Sequence, residues 1–365
     1  MKNMMVKSLA FAAALAFCFP VASNAEAQFE WKASSSQVAT HPVLQKGFFP
    51  LLDRLEKESG GKIHVTYYNP NTLMPQKTHY EALGKGLIDI ANFGPSTEHT
   101  RFKATSALEL PMMFTSAMAG TMTSWDMATG NDAFKKEWAA VKICTITTSV
   151  PMDIVSTKPV RTLEDLKGLR IGCSSPSSIE QLKLLGASPI HMNMTDFYLS
   201  LQRGMVDAII GPIPTYKSTK VCEVGKYIIK LSLSVSSSPF GISLKSYAKL
   251  PDDLKKVVDD VFDKRASFFR ASWIDRSAVE DLEYLKANNG VEVIELSPEE
   301  KARWEKTLEP VYAAYVEKMT KSKVDGQAII DQVRELGKKY ADPAVIQEML
   351  KEYQASYGPE MVFGM

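Results

Sequence analysis

An α/β fold of two lobes, each built on a parallel sheet, is predicted by three observations. Helix-period and strand-period segments alternate from residue 48 onward. The alternation forms one block to about residue 150 and a second block after Pro159. Beyond Asp252 the pattern becomes almost entirely helical, enough for one long helix that spans both lobes and a helical C-terminal extension. With 365 residues, 45% of them hydrophobic, the chain can bury two cores.

The amino end reads as an export signal. Lys2 and Lys7 precede an apolar run from Leu9 to Phe19, and Ser23-Asn24-Ala25 supplies small residues at a cleavage point. That run is shorter than the roughly 20 apolar residues a bilayer span requires. Phe17 before Cys18 is too bulky for a lipoprotein processing site. Loss of residues 1–25 removes two lysines and no acid, leaving 41 basic against 42 acidic side chains. A near-neutral chain with 9% aromatic residues is a poor electrostatic partner for nucleic acid. The mature protein is expected to be soluble and periplasmic.

In the first block, Phe48, Leu51, Leu52 and Leu55 mark an amphipathic helix ended by Gly60-Gly61. Ile63, Val65 and Tyr67 then alternate as a strand, Lys77 to Leu83 reads as a helix, and Leu87 to Ala91 as a buried strand. In the second block, Thr162-Leu163-Glu164-Asp165 is a capping-box start. Leu169 to Gly172 is a strand, Ser175 to Leu185 a helix, Thr195 caps a helix running to Gln202, and Val206 to Ile210 is a buried strand. From Asp252 to about Asn289 no Gly or Pro interrupts a helix, and Pro298 opens a further helical stretch.

Local catalytic motifs are missing. The five histidines fall in no H-E-x-x-H, and there is no C-x-x-C, G-x-S-x-G, Walker A or G-x-G-x-x-G. No cofactor is implied, and a binding role is favoured over an enzyme. Cys144, Cys173 and Cys222 remain after export, as buried thiols or as one disulfide with one free thiol. The loops Phe93-Gly94-Pro95-Ser96-Thr97 and Ile210-Gly211-Pro212-Ile213-Pro214 follow buried strands, where open parallel sheets bind ligands.

An ordered set of short strings narrows the reading: Gly86-Leu87-Ile88-Asp89, Glu109-Leu110-Pro111, Asp165-Leu166-Lys167-Gly168-Leu169, Leu185-Gly186-Ala187-Ser188-Pro189, and Tyr198 through Asp207. Over about residues 30–335 the chain resembles the extracytoplasmic solute-binding proteins of tripartite ATP-independent periplasmic (TRAP) transporters, DctP type. The resemblance implies the two-lobed periplasmic binding protein fold, with a small organic anion captured in the cleft and delivered to TRAP membrane permease subunits for ion-gradient-driven uptake. It places lobe one at residues 28–150 plus 239–277, lobe two at 151–238 plus 278–335, and a helical extension at 336–365. In some relatives such extensions dimerise, which leaves a homodimer open here.

The sequence departs from the family at its anion site. The arginine that clamps the ligand carboxylate is replaced by Gly172, a second frequent arginine by Met152, and a frequent asparagine by Gly211. Arg170 is the expected substitute, since strand alternation puts residues 170 and 172 on one face and Gly172 would leave room. Arg101 and Lys217 are second choices. By position in the resemblance, Ser35, His41, Gln76, Tyr80, Ser96, Cys173, Ser174, Met194, Tyr198, Tyr216 and Phe240 line the cleft. This lining suits a hydrophobic or aromatic carboxylate or a small sulfonate. A neutral solute, or a role as the partner of a sensor, stands as the alternative.

Overall fold

The computed structural model describes residues 27–357 apart from Pro95, Thr97 and His99. The segment expected to be an export signal, with Cys18, lies outside the described residues. Two sheets carry the fold. The first joins β1 (Phe29–Ser34), β2 (Ile63–Tyr68), β3 (Ile90–Asn92), β4 (Val141–Thr145) and β10 (Phe240–Ser243) in the order β2-β1-β3-β10-β4. The second joins β5 (Asp153–Ser156), β6 (Arg170–Cys173), β7 (Ser188–His191), β8 (Ala208–Gly211), β9 (Tyr227–Lys230) and β11 (Glu292–Glu295) in the order β11-β9-β5-β8-β6-β7. Each sheet is the centre of one lobe.

The expectation of wholly parallel sheets is corrected at two strands. β10 runs antiparallel to β3 and β4, and β5 runs antiparallel to β8 and β9. Both strands begin where the chain has just crossed from the other lobe. A chain that enters a lobe at its cleft edge must run away from the cleft, whereas the other strands end there. The crossings hold one another: Ser149 N–H donates to Ser236 O at 3.0 Å, Met152 to Ser234 O at 2.8 Å and Leu233 to Met152 O at 2.8 Å.

The helix expected from Asp252 to Asn289 is two helices, Asp252–Val261 and Lys264–Asn289. Phe262 leaves the helical region, and the Asp263 carboxylate accepts from the amides of Arg265 and Ala266 to start the second helix. That 26-residue helix, about 39 Å long, is the spine between the lobes. Its Ser267 hydroxyl accepts from Ile146 N–H in lobe one, and its Asp281 pairs with Lys217 in lobe two at 2.6 Å. Asp275 accepts the first amides of the helix Ala117–Gly130 at 2.7 and 2.8 Å, and burial raises its carboxyl to about 6.

The carboxyl-terminal helices return to lobe one. Tyr315 donates to Ala104 O at 2.9 Å, Asn131 to Gln332 at 2.9 Å, and Tyr353 meets the Phe268 ring edge-on at 5.2 Å. Ile329, Ile330, Val333 and Tyr340 share one core with Met118, Met122 and Phe269. Residues from about 309 onward therefore pack beside lobe one, where the resemblance put 278–335 in lobe two. The described part of the extension is built into a core, not projected from it.

Local signals resolve as their chemistry dictates. Thr162 and Asp165 make the reciprocal capping box, and Pro298 starts a helix behind a Ser297 cap. Thr195 does not cap: it lies in a short 3-10 turn, Met194–Asp196, and the helix begins at Phe197 without a side-chain cap. Cys144, Cys173 and Cys222 are all buried and free.

Candidate functional site

The strands of both sheets point one end at the same cleft. On the lobe-two side β5 starts, and β6 and β8 finish, around a small pocket lined by Met152, Ser174, Ser175, Ser178, Met194, Phe197, Ile210, Gly211, Pro212 and Thr215. The helix Pro176–Leu184 begins beside this wall with no side-chain cap, so the amides of its first turn, Pro176 having none, lack an intrahelical acceptor. Met152 anchors the wall through weak contacts at 3.8 Å from the Ser178 and Ser234 hydroxyls to its sulfur. None of these lining residues is ionisable. Hydroxyls, amides and thioethers make a site for an apolar body with acceptor atoms.

The lobe-one side is a hydroxyl and amide cluster at the cleft ends of β1 and β3 and the start of β10. Ser36 N–H donates to Asn92 Oδ1 at 3.0 Å, and Asn92 Nδ2 reaches the Ser238 hydroxyl at 3.4 Å. Beside it, Ser96 donates to the carboxylate of Glu109 and contacts the Ser236 hydroxyl at 3.0 Å. Glu109 is buried, and desolvation raises its carboxyl to about 7 against the pull of Ser96 and the Ser237 amide. Gln181 of lobe two donates to the Glu109 backbone carbonyl at 3.5 Å, so the lobes already touch there.

Of the residues expected in the cleft, Ser174, Met194 and Gly211 lie together in the lobe-two pocket. In lobe one, Ser35 holds the Tyr67 hydroxyl at 2.6 Å, and His41 caps the helix Pro42–Gly47 through Nδ1, its burial lowering the ring's basicity. Ser96 is in the Glu109 cluster and Gln76 begins a 3-10 turn, half-buried.

Several expectations are corrected. Arg170 starts β6, at the end of the strand remote from Ser174, and its guanidinium forks onto Asp207 at 2.8 and 2.9 Å. It is exposed and already paired, and the structure does not bring it to the pocket. Gly172 is not open space either: a β-carbon there would stand 2.6 Å from Ile209 Cδ1 and 3.0 Å from Met192 Sδ, so the ends of both side chains would have to shift. Cys173 faces the lobe-two core, with burial pushing its thiol up to about 11. Tyr80 packs among Phe93 and Phe102 and donates to Glu137 O, while Tyr216 is fully buried and donates to Asp153 O. Tyr198 turns away to Glu223 at 3.1 Å, and its neighbour Phe197 lines the pocket instead. Phe240 is buried, stacked on Phe48 with ring centres 4.1 Å apart. Arg101 is paired with Glu98, and Lys217 with Asp281.

Sequence reasoning missed Ser175, Ser178, Phe197 and Thr215, whereas Ile210 and Pro212 belong to the strand-end loop that it expected to meet a ligand. The run Ser174-Ser175-Pro176-Ser177-Ser178 at a strand-to-helix turn was the available signal, since hydroxyls beside free helix amides suit an acceptor-bearing ligand. Among the described residues no group of His, Cys, Asp and Glu could hold a metal ion, and no helix is long and apolar enough to cross a membrane.

The model of the bacterial extracellular solute-binding protein family 7 matches residues 34–319. The C4-dicarboxylate-binding protein DctB of Bacillus subtilis is 26% identical over 300 residues, 78% of this chain and 80% of its own length. The sialic acid-binding periplasmic protein SiaP of Vibrio cholerae is 28% identical over 226 residues, 59% of this chain and 67% of its own. A TRAP periplasmic solute-binding protein of Desulfovibrio salexigens, solved as an open complex, superposes with a TM-score of 0.80 at 27% identity, covering 86% of this chain and 97% of that one.

Proposed function

The chain belongs to family 7 of the bacterial extracellular solute-binding proteins, the DctP type, and on that premise we propose that it captures a small organic acid between its lobes in the periplasm and delivers it to TRAP permease subunits. The family is one of solute receptors, not of enzymes. The observation that carries the ligand class is the lobe-two pocket, where Met152, Met194, Phe197 and Ile210 form an apolar wall around hydroxyls and free helix amides. An aromatic or hydrophobic acid fits that chemistry better than a short dicarboxylate, which would need a second cluster of donors. Relatives named for C4-dicarboxylate, sialic acid and 2,3-diketo-L-gulonate binding are all acid receptors, which supports the class. The amino-terminal signal supports export.

A thermal-shift screen of the mature protein, freed of retained ligand, tests the reading. At ligand one thousand times Kd, linkage predicts about 4 kcal/mol of stabilisation. Stabilisation by aromatic or aliphatic carboxylates is the expected result. A response confined to neutral compounds would favour the second reading, a neutral solute, which the absence of ionisable groups from the pocket lining supports.

A further inference from the structure

Arg270 lies on the spine helix and is 1% exposed, yet among the described residues it has no acidic partner. One of its terminal nitrogens donates to the Thr145 hydroxyl, and its Nε, also buried, has no hydrogen-bond partner. The guanidinium is held by rings: its carbon stands 5.5 Å from the centre of Phe48 and 5.3 Å from that of Phe240. A buried cation with one hydrogen bond of its five donors is under-satisfied, and such a group is costly to keep without an anion.

Its position gives the reason for keeping it. Phe240 is the first residue of β10 and lies opposite Asn92 on β3 and Thr145 on β4. Residues directly opposite across an antiparallel pair share a face, so the guanidinium over Phe240 lies level with Asn92 at the cleft end of the sheet. Asn92, Ser36 and Ser238 are the polar cluster that closes that end. Met152 in the lobe-two pocket is tied to Ser234, and four residues of chain from Ser234 to Ser238 span at most about 14 Å. A ligand with a carboxylate at one end and an apolar body at the other bridges that distance.

We propose that Arg270 is the counter-charge for the ligand's acidic group, reached past Asn92 and Ser238 as the lobes open, with the apolar body held against lobe two. The proposal rests on the organic-acid reading above. It moves the cation from lobe two, where Gly172 stands, to the spine helix, and it puts the charge in lobe one before the ligand arrives.

The test compares the wild type with Arg270→Met and Arg270→Lys, using benzoate as an aromatic probe and succinate as a dicarboxylate probe. Without ligand, Arg270→Met should melt at or above the wild-type temperature, because methionine fills the site without a desolvated charge. Its affinity for the acid that binds the wild type should fall by about 100-fold or more, and that of Arg270→Lys by roughly 10-fold. A folded Arg270→Met variant that binds the acid within threefold of wild type overturns the role of Arg270 and leaves the organic-acid reading standing. A wild type stabilised only by neutral compounds overturns that reading, and this one with it. Should Arg270→Met not fold, a crystal structure of the wild type with the acid decides: a carboxylate oxygen about 3 Å from the guanidinium supports the proposal, and one bound elsewhere ends it.

Discussion

The sulfur of Met192 stands 3.0 Å from the point that a β-carbon on Gly172 would occupy, with Ile209 Cδ1 closer still on the other side, at 2.6 Å. A side chain at the position that the family resemblance assigns to an arginine clamp therefore has to displace the ends of Ile209 and Met192. Gly172→Arg should not restore a clamp. Overpacking predicts a loss of about 1–3 kcal/mol in urea unfolding and no gain in acid affinity. A folded Gly172→Arg variant with tighter binding would show that Met192 yields easily.

Arg170→Ala should leave ligand affinity within twofold of wild type. The fork onto Asp207 is exposed and lies at the end of β6 away from Ser174. Calorimetric titration with the best acid checks it, and a tenfold loss would return Arg170 to the site.

Acidity should stabilise the fold over one window. Glu109 titrates near 4.5 in the unfolded chain and at about 7 when buried, so between these values the folded state holds a proton that the unfolded state has released. The Glu109 contribution then falls as pH rises from about 4.5 to about 7, by roughly 3 kcal/mol, and is flat above, while His41 and His79, made less basic by burial, act in the opposite direction up to about 6.5. Asp275 acts in the same direction as Glu109 from its ordinary 3.8 up to about 6. Glu109→Gln should flatten the slope between pH 6 and 7 while leaving the Asp275 part below it, as read by melting temperature against pH.

Tyr340→Phe should cost about 1–2 kcal/mol, because the hydroxyl links Lys264, at 2.9 Å, with the Asp126 carboxylate beneath the terminal helices. Ligand affinity should not change. Denaturant unfolding and a binding titration on the same sample separate the two effects.

The fold was legible because periodicity and caps are local. The Thr162 and Asp165 box, the Pro298 start and the apolar alternation of Ile63, Val65 and Tyr67 each name their own element. The site was less legible because orientation is not local. Tyr198 and Phe197 are neighbours, and only the packing of lobe two decides which faces the pocket. Arg170 looked free until the fold delivered Asp207 to it. Arg270 carried a signal that went unread: Ala266, Arg270 and Ile274 follow at four-residue spacing on a helix face, and all three are buried. An arginine in an apolar stripe is a sequence-level conflict, of the kind found at functional or strained sites.

The antiparallel strands that follow each crossing also set an order of events as the chain folds. β4 has a single strand neighbour, β10, which begins 95 residues after β4 ends. Its ladder cannot close until residue 240 is in hand. The second sheet, by contrast, takes five of its six strands from the uninterrupted stretch between Asp153 and Lys230. Five strands of lobe two can therefore pair early, with Ile274 to Leu308 still to complete its cores, while the sheet of the lobe that starts first must wait for the other to be traversed and left. Distant pairings of this kind are slow to form and leave strand edges uncovered meanwhile. For a chain threaded outward from its amino end, the half that emerges first is the half that finishes last.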